Sequence, residues 1–202
     1  GVGPCYTDKM ARTGIRVADL YHPEYFKQKL KKVVEEKNKI FVRLYDAEAL
    51  SWKDIYDAYC EYAEQIRPFV CNTVVFMDEA IKARKKILFE GAQGSLLDVD
   101  FGTYPFITSS SVTAGGAAVG TGISPRQIHK VLGIMKSYTT RVGSGPFPSE
   151  LNDALGEYLR KKGGEYGATT GRPRRCGWFD AVSVKHAIMV NGADSAVLTK
   201  LD

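Results

Sequence analysis

The chain has 202 residues, enough for one large domain or two small ones, and its hydrophobic content of 44% is that of an ordinary globular protein. A net charge of +5 suits the attraction of an anionic metabolite and is weak support for nucleic-acid binding. The four cysteines lack metal-site spacing, and no apolar run nears the roughly 20 residues of a membrane span. We therefore expect reduced thiols in a cytoplasmic protein without a membrane segment.

The first part of the chain is predicted to be helical. Residues 1–20 are polar and punctuated by glycine, which predicts a loop. Three helices are predicted after it, from Pro23 to about Phe41, from Ser51 to near Pro68, and from about Asn72 to Arg84. Pro23 suits a first helical position, and Ser51 with Asp54 resembles a capping box.

The remainder alternates strands with helices. The predicted strands are 86–89, 134–142 and 195–199, and the predicted helices are 125–132, 150–162 and 179–190, with a long irregular segment over 90–125. This order predicts an α/β fold with a mostly parallel central sheet and flanking helices. We expect residues 1–85 to be a mostly helical subregion that forms an N-terminal insertion on the sheet, and residues 86–202 to carry the sheet and the ligand sites, both within one larger domain.

Residues 167–175 form a basic loop bounded by glycine. Arg172, Arg174 and Arg175 carry guanidiniums suited to carboxylates and phosphates, and Thr169 and Thr170 add hydroxyls. A nucleic-acid patch and a solvated turn with surface ion pairs are the alternatives. Because the loop lacks flanking aromatics at stacking spacing and the net charge is modest, we predict a site for a small anion.

The chain ends in Thr199-Lys200-Leu201-Asp202, directly after the apolar run of a predicted strand. A carboxylate at this position accepts hydrogen bonds from N1–H and the amino group of guanine, a donor pair that adenine lacks. A surface turn with ordinary charges is the alternative. The carboxyl end of a strand is where α/β proteins bind ligands, so both interpretations stay open.

Three further segments follow the predicted strand 86–89. Gln93 lies in a glycine-rich turn, where it either bonds a purine edge or caps the turn. Asp98 and Asp100 favour a structured loop over a metal site, because no third ligand is near. Thr108 begins a run of hydroxyl residues that either binds phosphate or forms a turn.

Taken in order, these segments resemble the adenylosuccinate synthetases over the full length of the chain. The matching phrases are Gly3-Pro4 with Asp8-Lys9-Met10-Ala11-Arg12-Thr13-Gly14, Phe89-Glu90-Gly91-Ala92-Gln93-Gly94, Asp100-Phe101-Gly102-Thr103-Tyr104-Pro105, Thr140-Arg141-Val142-Gly143, Gly167-Ala168-Thr169-Thr170-Gly171-Arg172 and Thr199-Lys200-Leu201-Asp202. Each phrase alone is common, and the ordered set is highly specific.

The resemblance implies a nucleotide site of the P-loop GTPase type, incomplete in this chain. It implies a ligase of purine biosynthesis that condenses IMP with L-aspartate and cleaves GTP to GDP and phosphate with Mg²⁺. Phosphorylation of the 6-oxygen of IMP would come first, and the aspartate amine would then displace phosphate. It also implies a homodimer, because Arg12 would reach IMP in the neighbouring subunit, and neither a nucleic-acid nor a membrane partner.

The resemblance also implies roles for single residues. Gln93 is expected to contact the hypoxanthine and to take part in catalysis. The expected IMP-binding residues are Arg12, Gln93, Thr108 and Arg172. The expected aspartate-binding residues are Ala168, Thr169, Thr170, Gly171, Arg172, Pro173 and Arg174. The expected GTP-binding residues are Arg174, Lys200, Leu201 and Asp202. No metal ligand is expected in this chain.

Pro173 departs from the family pattern, in which another basic residue is expected. The family's phosphate loop, its catalytic Asp and its catalytic His would lie before Gly1, and more of the GTP site would lie beyond Asp202. We therefore expect a central piece of a longer polypeptide, and a piece that is inactive by itself.

Two other classes of protein are weighed against a ligase. A non-catalytic nucleotide- or RNA-binding module would use residues 172–175, and its RNA affinity would fall steeply with salt. A GTPase switch domain is suggested by residues 199–202 alone. It is disfavoured, because no Walker loop precedes that motif in this chain.

Overall fold

The computed structural model of the chain describes residues 2–167 and 171–202 and divides between Asn72 and Thr73 into two units. The first unit is helical. The helix over Thr73–Lys82 lies in the second unit, although its residues fall within the helical subregion predicted over 1–85. The idea that both units are parts of one larger domain stays a prediction.

The first unit contains α1 (Gly3–Met10), α2 (Pro23–Tyr45) and α3 (Trp52–Ile66), with 3₁₀ turns at Val17–Tyr21 and Arg67–Phe69. Pro23 begins α2 as predicted, and the Ser51 side chain accepts a hydrogen bond from the backbone N–H of Asp54 at 3.3 Å to cap α3. The loop predicted for residues 1–20 is wrong over α1. Its glycines fall near the ends of that helix, and Asp8 on α1 pairs with Lys37 on α2 at 2.7 Å.

The core of the first unit forms where one face of α2 meets α3. Phe26, Leu30 and Val34 are buried at the spacing of one helical face. The ring of Phe26 stacks on that of Tyr56 with centroids 5.3 Å apart. The Tyr21 hydroxyl donates to the carbonyl of Ala63 at 3.1 Å and ties the 3₁₀ turn to α3.

The second unit combines four helices and four short strands among its described residues. The helices are α4 (Thr73–Lys82), α5 (Ala114–Thr121), α6 (Ala154–Gly163) and α7 (Ala181–Asn191), and the strands are β1 (Leu132–Lys136), β2 (Thr139–Arg141), β3 (Arg175–Gly177) and β4 (Ser195–Thr199). The α/β fold class is confirmed. Each of α6 and α7 begins at a capping aspartate and ends at a left-handed glycine.

Two pairs of strands carry the backbone ladders. β1 and β4 run parallel with Leu132 opposite Ser195 and Lys136 opposite Thr199, and their connection passes through α6 and α7. β2 and β3 run antiparallel. The strand predicted over 134–142 is therefore two strands, because the chain changes its partner between Lys136 and Thr139.

Three other predictions need correction. Residues 86–89 form no strand, because no described segment pairs with them, and Leu88 is 91% exposed. The predicted irregular segment 90–125 contains α5, whose alanines and glycines show no amphipathic period. The helix predicted over 125–132 is a 3₁₀ turn at Pro125–Gln127, which gives way to β1. None of the helices in the described ranges is both long and apolar enough to cross a membrane.

Candidate functional site

The basic loop leaves and re-enters the second unit through a short antiparallel ladder. The backbone N–H of Arg174 donates to the carbonyl of Glu165 at 2.9 Å, and that of Gly167 donates to the carbonyl of Arg172 at 2.9 Å. Residues 168–170, with the predicted ligand-binding Ala168, Thr169 and Thr170, lie outside the described residues. The ladder fixes the two ends of the loop on which those predictions depend.

Pro173 takes a place in this ladder that needs no amide hydrogen. It lies opposite Tyr166, whose N–H donates to the Gly164 carbonyl at 2.9 Å and not across the ladder, and it lies between the two bonds that close the loop. Pro173 is also exposed. Its departure from the expected basic residue therefore costs no backbone hydrogen bond and removes only an exposed charge.

Glu165 is the buried centre of the base of the loop. Its side chain is 2% exposed, and three partners surround its carboxylate. Oε1 accepts from Lys136 Nζ at 2.7 Å and from the Tyr138 hydroxyl at 2.6 Å, and Oε2 accepts from Arg174 Nη1 at 2.8 Å. Strand β1, the turn after it and the basic loop thus meet at one carboxylate.

Charge and burial both act on this cluster. Burial by itself would raise the pKa of Glu165, but the hydrogen bonds from Lys136, Tyr138 and Arg174 outweigh it and lower that pKa. Burial, with the hydrogen bond to the same carboxylate, raises the pKa of Tyr138. Glu165 is therefore ionised, and with two cations on one carboxylate the group carries a net charge of about +1.

Arg175, the last arginine of the basic loop, is committed to partners inside the second unit. Its Nε donates to Glu150 Oε1 at 2.7 Å, and its Nη2 pairs with Glu150 Oε2. Its Nη1 donates to the carbonyls of Gly143 and Gly145 at 3.1 and 3.0 Å. This guanidinium supports the turn after β2, and its donors are taken up internally.

Arg141 connects two of the segments that carry the family phrases. Its Nη2 donates to the Thr103 hydroxyl at 2.8 Å and to the Phe106 carbonyl at 3.0 Å, and its Nε donates to the Ser144 carbonyl at 3.0 Å. Burial, together with nearby Arg175, lowers the pKa of Arg141. The loop over 100–106 is thereby held against the turn over 143–145.

The terminal motif lies beside the base of the basic loop. The backbone N–H of Ser137 donates to the Thr199 carbonyl at 2.9 Å, and its hydroxyl bonds the Lys200 carbonyl. Lys200 has a φ of 59°, and its Nζ donates to the carbonyl of Gly163 at 2.8 Å, two residues before Glu165. The structure thus brings Lys200 and Arg174 to the same edge of the second unit. Leu201 and Asp202, which follow, are exposed.

The hydroxyl-rich segment is organised around Asp98, which is 1% exposed. Its carboxylate accepts four backbone N–H bonds, from Asp100 and Phe101 at 3.0 Å each, from Val112 at 2.7 Å and from Thr113 at 3.2 Å. Burial raises the pKa of Asp98, but these four bonds outweigh that effect and lower it. Asp98 closes the structured loop that the sequence favoured over a metal site.

Thr108 lies within this closed loop, and Gln93 precedes the loop in the chain. The N–H of Thr108 donates to the Leu97 carbonyl at 2.9 Å, and its hydroxyl lies 3.3 Å from that of Ser110. Gln93 is exposed with a φ of 62°, in a left-handed conformation that non-glycine residues adopt at a cost. Asn191 at the end of α7 ties the loop down, because its amide donates to the Ser95 hydroxyl at 2.9 Å.

Arg12 lies in the first unit, just after α1, and is exposed with a φ of 62°. It lines a cavity of about 190 Å³ whose other residues include Lys29, Lys32 and Glu36. Lys29 is already paired with Asp19 at 2.8 Å. The exposure of Arg12 leaves its side chain accessible to a partner.

Several residues around the site escaped the sequence analysis. Glu165, Lys136 and Tyr138 form one cluster, but 29 positions separate the partners Lys136 and Glu165, and no periodicity reveals such a pairing. The one available signal was an acidic residue directly before a loop of arginines. Within residues 2–167 and 171–202, no group of three or more His, Cys, Asp or Glu side chains is placed to hold a metal ion.

Comparison with known proteins identifies relatives over the whole chain. The family model described as adenylosuccinate synthetase matches residues 1–202. The adenylosuccinate synthetases of Geobacter metallireducens and Thermoanaerobacter sp. (strain X514) are 58% and 57% identical over all 202 residues. These residues make up 47% of each relative, so the chain spans about half the length of the curated relatives it matches.

Solved structures agree with the sequence matches. The fully ligated adenylosuccinate synthetase from Plasmodium falciparum covers 99% of this chain with 42% identity and a TM-score of 0.91, and the match takes up 46% of that chain. The succinoaminodeoxyadenylate synthetase of cyanophage S-2L, bound to dGMP and to dATP as an energy donor, covers 68% of this chain with 28% identity and a TM-score of 0.54, over 43% of its own length.

Proposed function

Because the chain belongs to the adenylosuccinate synthetase family, we propose that the protein containing it condenses IMP with L-aspartate and cleaves GTP to GDP and phosphate. The main observation behind this proposal is that the basic loop and the terminal motif lie at the same edge of the second unit. Arg174 and Lys200 are held by Glu165 and by the Gly163 carbonyl, which are two residues apart. An anion site and a guanine site so placed suit a reaction that joins an anionic amino acid to a nucleotide.

The proposed chemistry has two steps. The γ-phosphoryl group of GTP passes to the 6-oxygen of IMP, because an amine cannot readily displace an oxygen from a carbonyl carbon. The aspartate amine then attacks C6, and phosphate leaves. Gln93 would contact the hypoxanthine and stabilise charge on the phosphorylated intermediate.

The remaining roles are proposed on the family resemblance. Thr108 would bind the IMP phosphate and Arg12 would reach IMP from the neighbouring subunit. Aspartate would be held by residues 168–174, with Arg172 also near the IMP ribose. Arg174 would approach the nucleotide phosphates, and Lys200, Leu201 and Asp202 would hold guanine.

Mg²⁺ is the proposed metal, and the described part of this chain offers no cluster to bind it. We place its ligands elsewhere in the polypeptide. When bound, the ion would neutralise charge on the nucleotide phosphates. The four unpaired cysteines suit a reducing compartment, and we propose the cytoplasm.

Adenylosuccinate formation by the full-length protein tests this function. IMP, L-aspartate and Mg²⁺ would be supplied with either GTP or ATP, because the phage relative is bound to dATP as its energy donor. We expect product with GTP. Asp202→Ala should lower kcat/KM for GTP by about 100-fold, since the guanine donors then lack their acceptor.

Two matched variants control this test. Arg172→Leu should raise the KM for aspartate, whereas Arg126→Leu, on an exposed 3₁₀ turn, should leave every constant unchanged. Folded wild-type protein that forms no product with either nucleotide would remove the ligase proposal. Product with ATP alone would remove the role of Asp202.

The proposed homodimer has its own test, because Arg12 would complete a site in the partner. Full-length Arg12→Leu and Asp202→Ala would each be nearly inactive, but they damage different halves of each site. After unfolding and refolding together, half of the dimers would be mixed and would hold one intact site of two, so about a quarter of wild-type activity should return. No recovery from mixed dimers would place Arg12 in its own subunit's site.

The alternative of an RNA-binding module would need free cations on residues 172–175. The observed pairs of Arg174 with Glu165 and of Arg175 with Glu150 leave that surface less basic than its sequence suggests. A binding module should bind single-stranded RNA with an affinity that falls steeply with salt. We expect little RNA binding at physiological salt, measured by fluorescence anisotropy of the full-length protein.

A further inference from the structure

We propose that Glu165 is a positioning residue that fixes the guanidinium of Arg174 for an anionic substrate, with Lys136 keeping the cluster positively charged. The inference rests on the proposed function, and it gives a role to a residue that the family phrases do not include. Glu165 lies two residues before the phrase that begins at Gly167, and among the described residues its carboxylate bonds to Lys136, Tyr138 and Arg174, of which Arg174 is the predicted ligand-binding residue.

The geometry holds Arg174 from two directions. Its backbone N–H donates to the Glu165 carbonyl, and its Nη1 donates to the Glu165 carboxylate. The Nε of Arg160 donates to the Arg174 carbonyl at 2.8 Å and adds a third restraint. Because Arg174 is held at both its backbone and its guanidinium group, its side chain loses little rotamer freedom when an anion binds.

Only one terminal nitrogen of Arg174 is used by Glu165. A bidentate pair would engage two guanidinium nitrogens with one carboxylate, as Nε and Nη2 of Arg175 do with Glu150. The Arg174 side chain remains 31% exposed, against 2% for that of Glu165. The carboxylate therefore anchors the arginine and leaves part of its fork open to solvent.

Lys136 decides the charge of the cluster. A single carboxylate beside Arg174 alone would neutralise it and weaken its attraction for an anion. With Lys136 Nζ on the same carboxylate at 2.7 Å, a net positive charge remains. Lys136 also lies opposite Thr199 in the parallel ladder. The cluster that holds Arg174 is therefore attached to the strand end that carries the terminal motif.

The variant Glu165→Gln separates positioning from simple charge. It raises the net charge of the cluster, so electrostatics alone predicts tighter anion binding. The amide of glutamine, however, has one acceptor oxygen, whereas both oxygens of Glu165 accept hydrogen bonds. Its NH₂ group would face a cationic donor, so the guanidinium of Arg174 would no longer be held in position. We expect the KM for aspartate to rise by about 10-fold or more, and the KM for IMP to stay within about twofold.

Three further variants of the full-length protein complete the test. Glu165→Asp keeps the charge and should recover part of the loss, and it carries the test if Glu165→Gln does not fold. Lys136→Met should raise the KM for aspartate less than Glu165→Gln does. Glu150→Gln removes a comparable carboxylate–arginine pair that does not touch Arg174, and it should leave the KM for aspartate unchanged.

The outcomes separate the inference from the proposed function. If the wild-type protein forms no product, the proposed ligase function is wrong. The role of Glu165 is then tested by comparing the GTP affinities of the wild type and the Glu165 variants by calorimetry. The inference is overturned if folded Glu165→Gln binds aspartate and GTP as the wild type does, or, where Glu165→Gln does not fold, if Glu165→Asp does so. Tighter binding, a parallel loss for IMP, or a wild-type protein that binds no GTP would overturn it as well.

Discussion

Asp98 and Glu165 bury their charges in different ways, although each is 1% exposed. Four backbone N–H groups of one loop surround Asp98, whereas side chains from three separate segments surround Glu165. The first arrangement closes a local loop. The second joins segments that are distant in the chain, so its loss should be felt in ligand binding as well as in stability.

We expect Asp98→Ala to lower the free energy of unfolding of the full-length protein by about 3 kcal/mol or more, because four buried donors lose their acceptor. Urea denaturation followed by circular dichroism measures this. Asp100→Ala is the matched control, because Asp100 is exposed, and it should change stability by less than about 0.5 kcal/mol. Equal effects of the two substitutions would contradict the structural role of Asp98.

The lowered pKa values of Asp98 and Glu165 predict a dependence of stability on pH. Each group binds a proton more weakly in the folded state than in the unfolded chain, where its pKa is about 4. Their contribution is therefore fully present above about pH 5 and is lost as the pH falls through the folded-state pKa. Urea midpoints between pH 7 and pH 3 should fall, and more gently in Glu165→Gln; an equally steep fall would exclude Glu165 as a contributor.

At the scale of elements, α6 sets the distance between the basic loop and the terminal motif. Its N-terminus is capped by Asp153, which accepts from Leu155 and Gly156, and its last residue presents the carbonyl that binds Lys200. Gly156 has no room for a side chain, because a Cβ there would overlap the Leu151 carbonyl oxygen. The helix is therefore pressed against the segment that precedes it.

Gly156→Ala should destabilise the protein by about 2 kcal/mol or more, since backbone must move to admit the methyl group. Gly120→Ala is the matched substitution in α5. Apart from the helix's own backbone and the two chain neighbours, no atom of the described residues lies within 4 Å of a Cβ at that site, so alanine should stabilise the helix by about 0.5–1 kcal/mol. Thermal unfolding of the two variants should shift in opposite directions; a shared direction would refute the packing of α6.

At the scale of the whole molecule, the second unit exposes apolar side chains next to its parallel strands. Ile134 on β1 is 67% exposed and Leu88 is 91% exposed, while Val197 and Leu198 on β4 are about two-fifths exposed. Two parallel strands with bare faces do not make a stable sheet in water. The relatives that the chain matches are about twice as long.

We therefore expect the isolated chain of residues 1–202 to bind the dye ANS and to associate with increasing concentration. It should also form no adenylosuccinate from IMP, aspartate and GTP. Sedimentation velocity and a coupled assay check the two expectations. A monomer that binds no ANS would show that the exposed faces are tolerated, and turnover would refute the prediction of an inactive piece.

The sequence by itself determined the longer helices and the family. Helix caps are local, so Pro23 and Ser51 mark helix starts that the structure confirms. The ordered phrases identified the adenylosuccinate synthetases because each phrase is a contiguous set of residues. Predictions failed where structure depends on a partner: residues 86–89 are apolar enough for a strand but find no described neighbour.

Only the tertiary structure decided how the predicted loops are held. The pairing of Glu165 with Lys136 and Tyr138 joins residues that are distant in the chain, and the place of Pro173 in its ladder depends on Tyr166 across it. Such contacts depend on the path of the whole chain, because hydrogen bonds and ion pairs form between any segments that folding brings together. Local patterns indicate which residues can bind an anion, and the fold decides which carboxylate holds them in place.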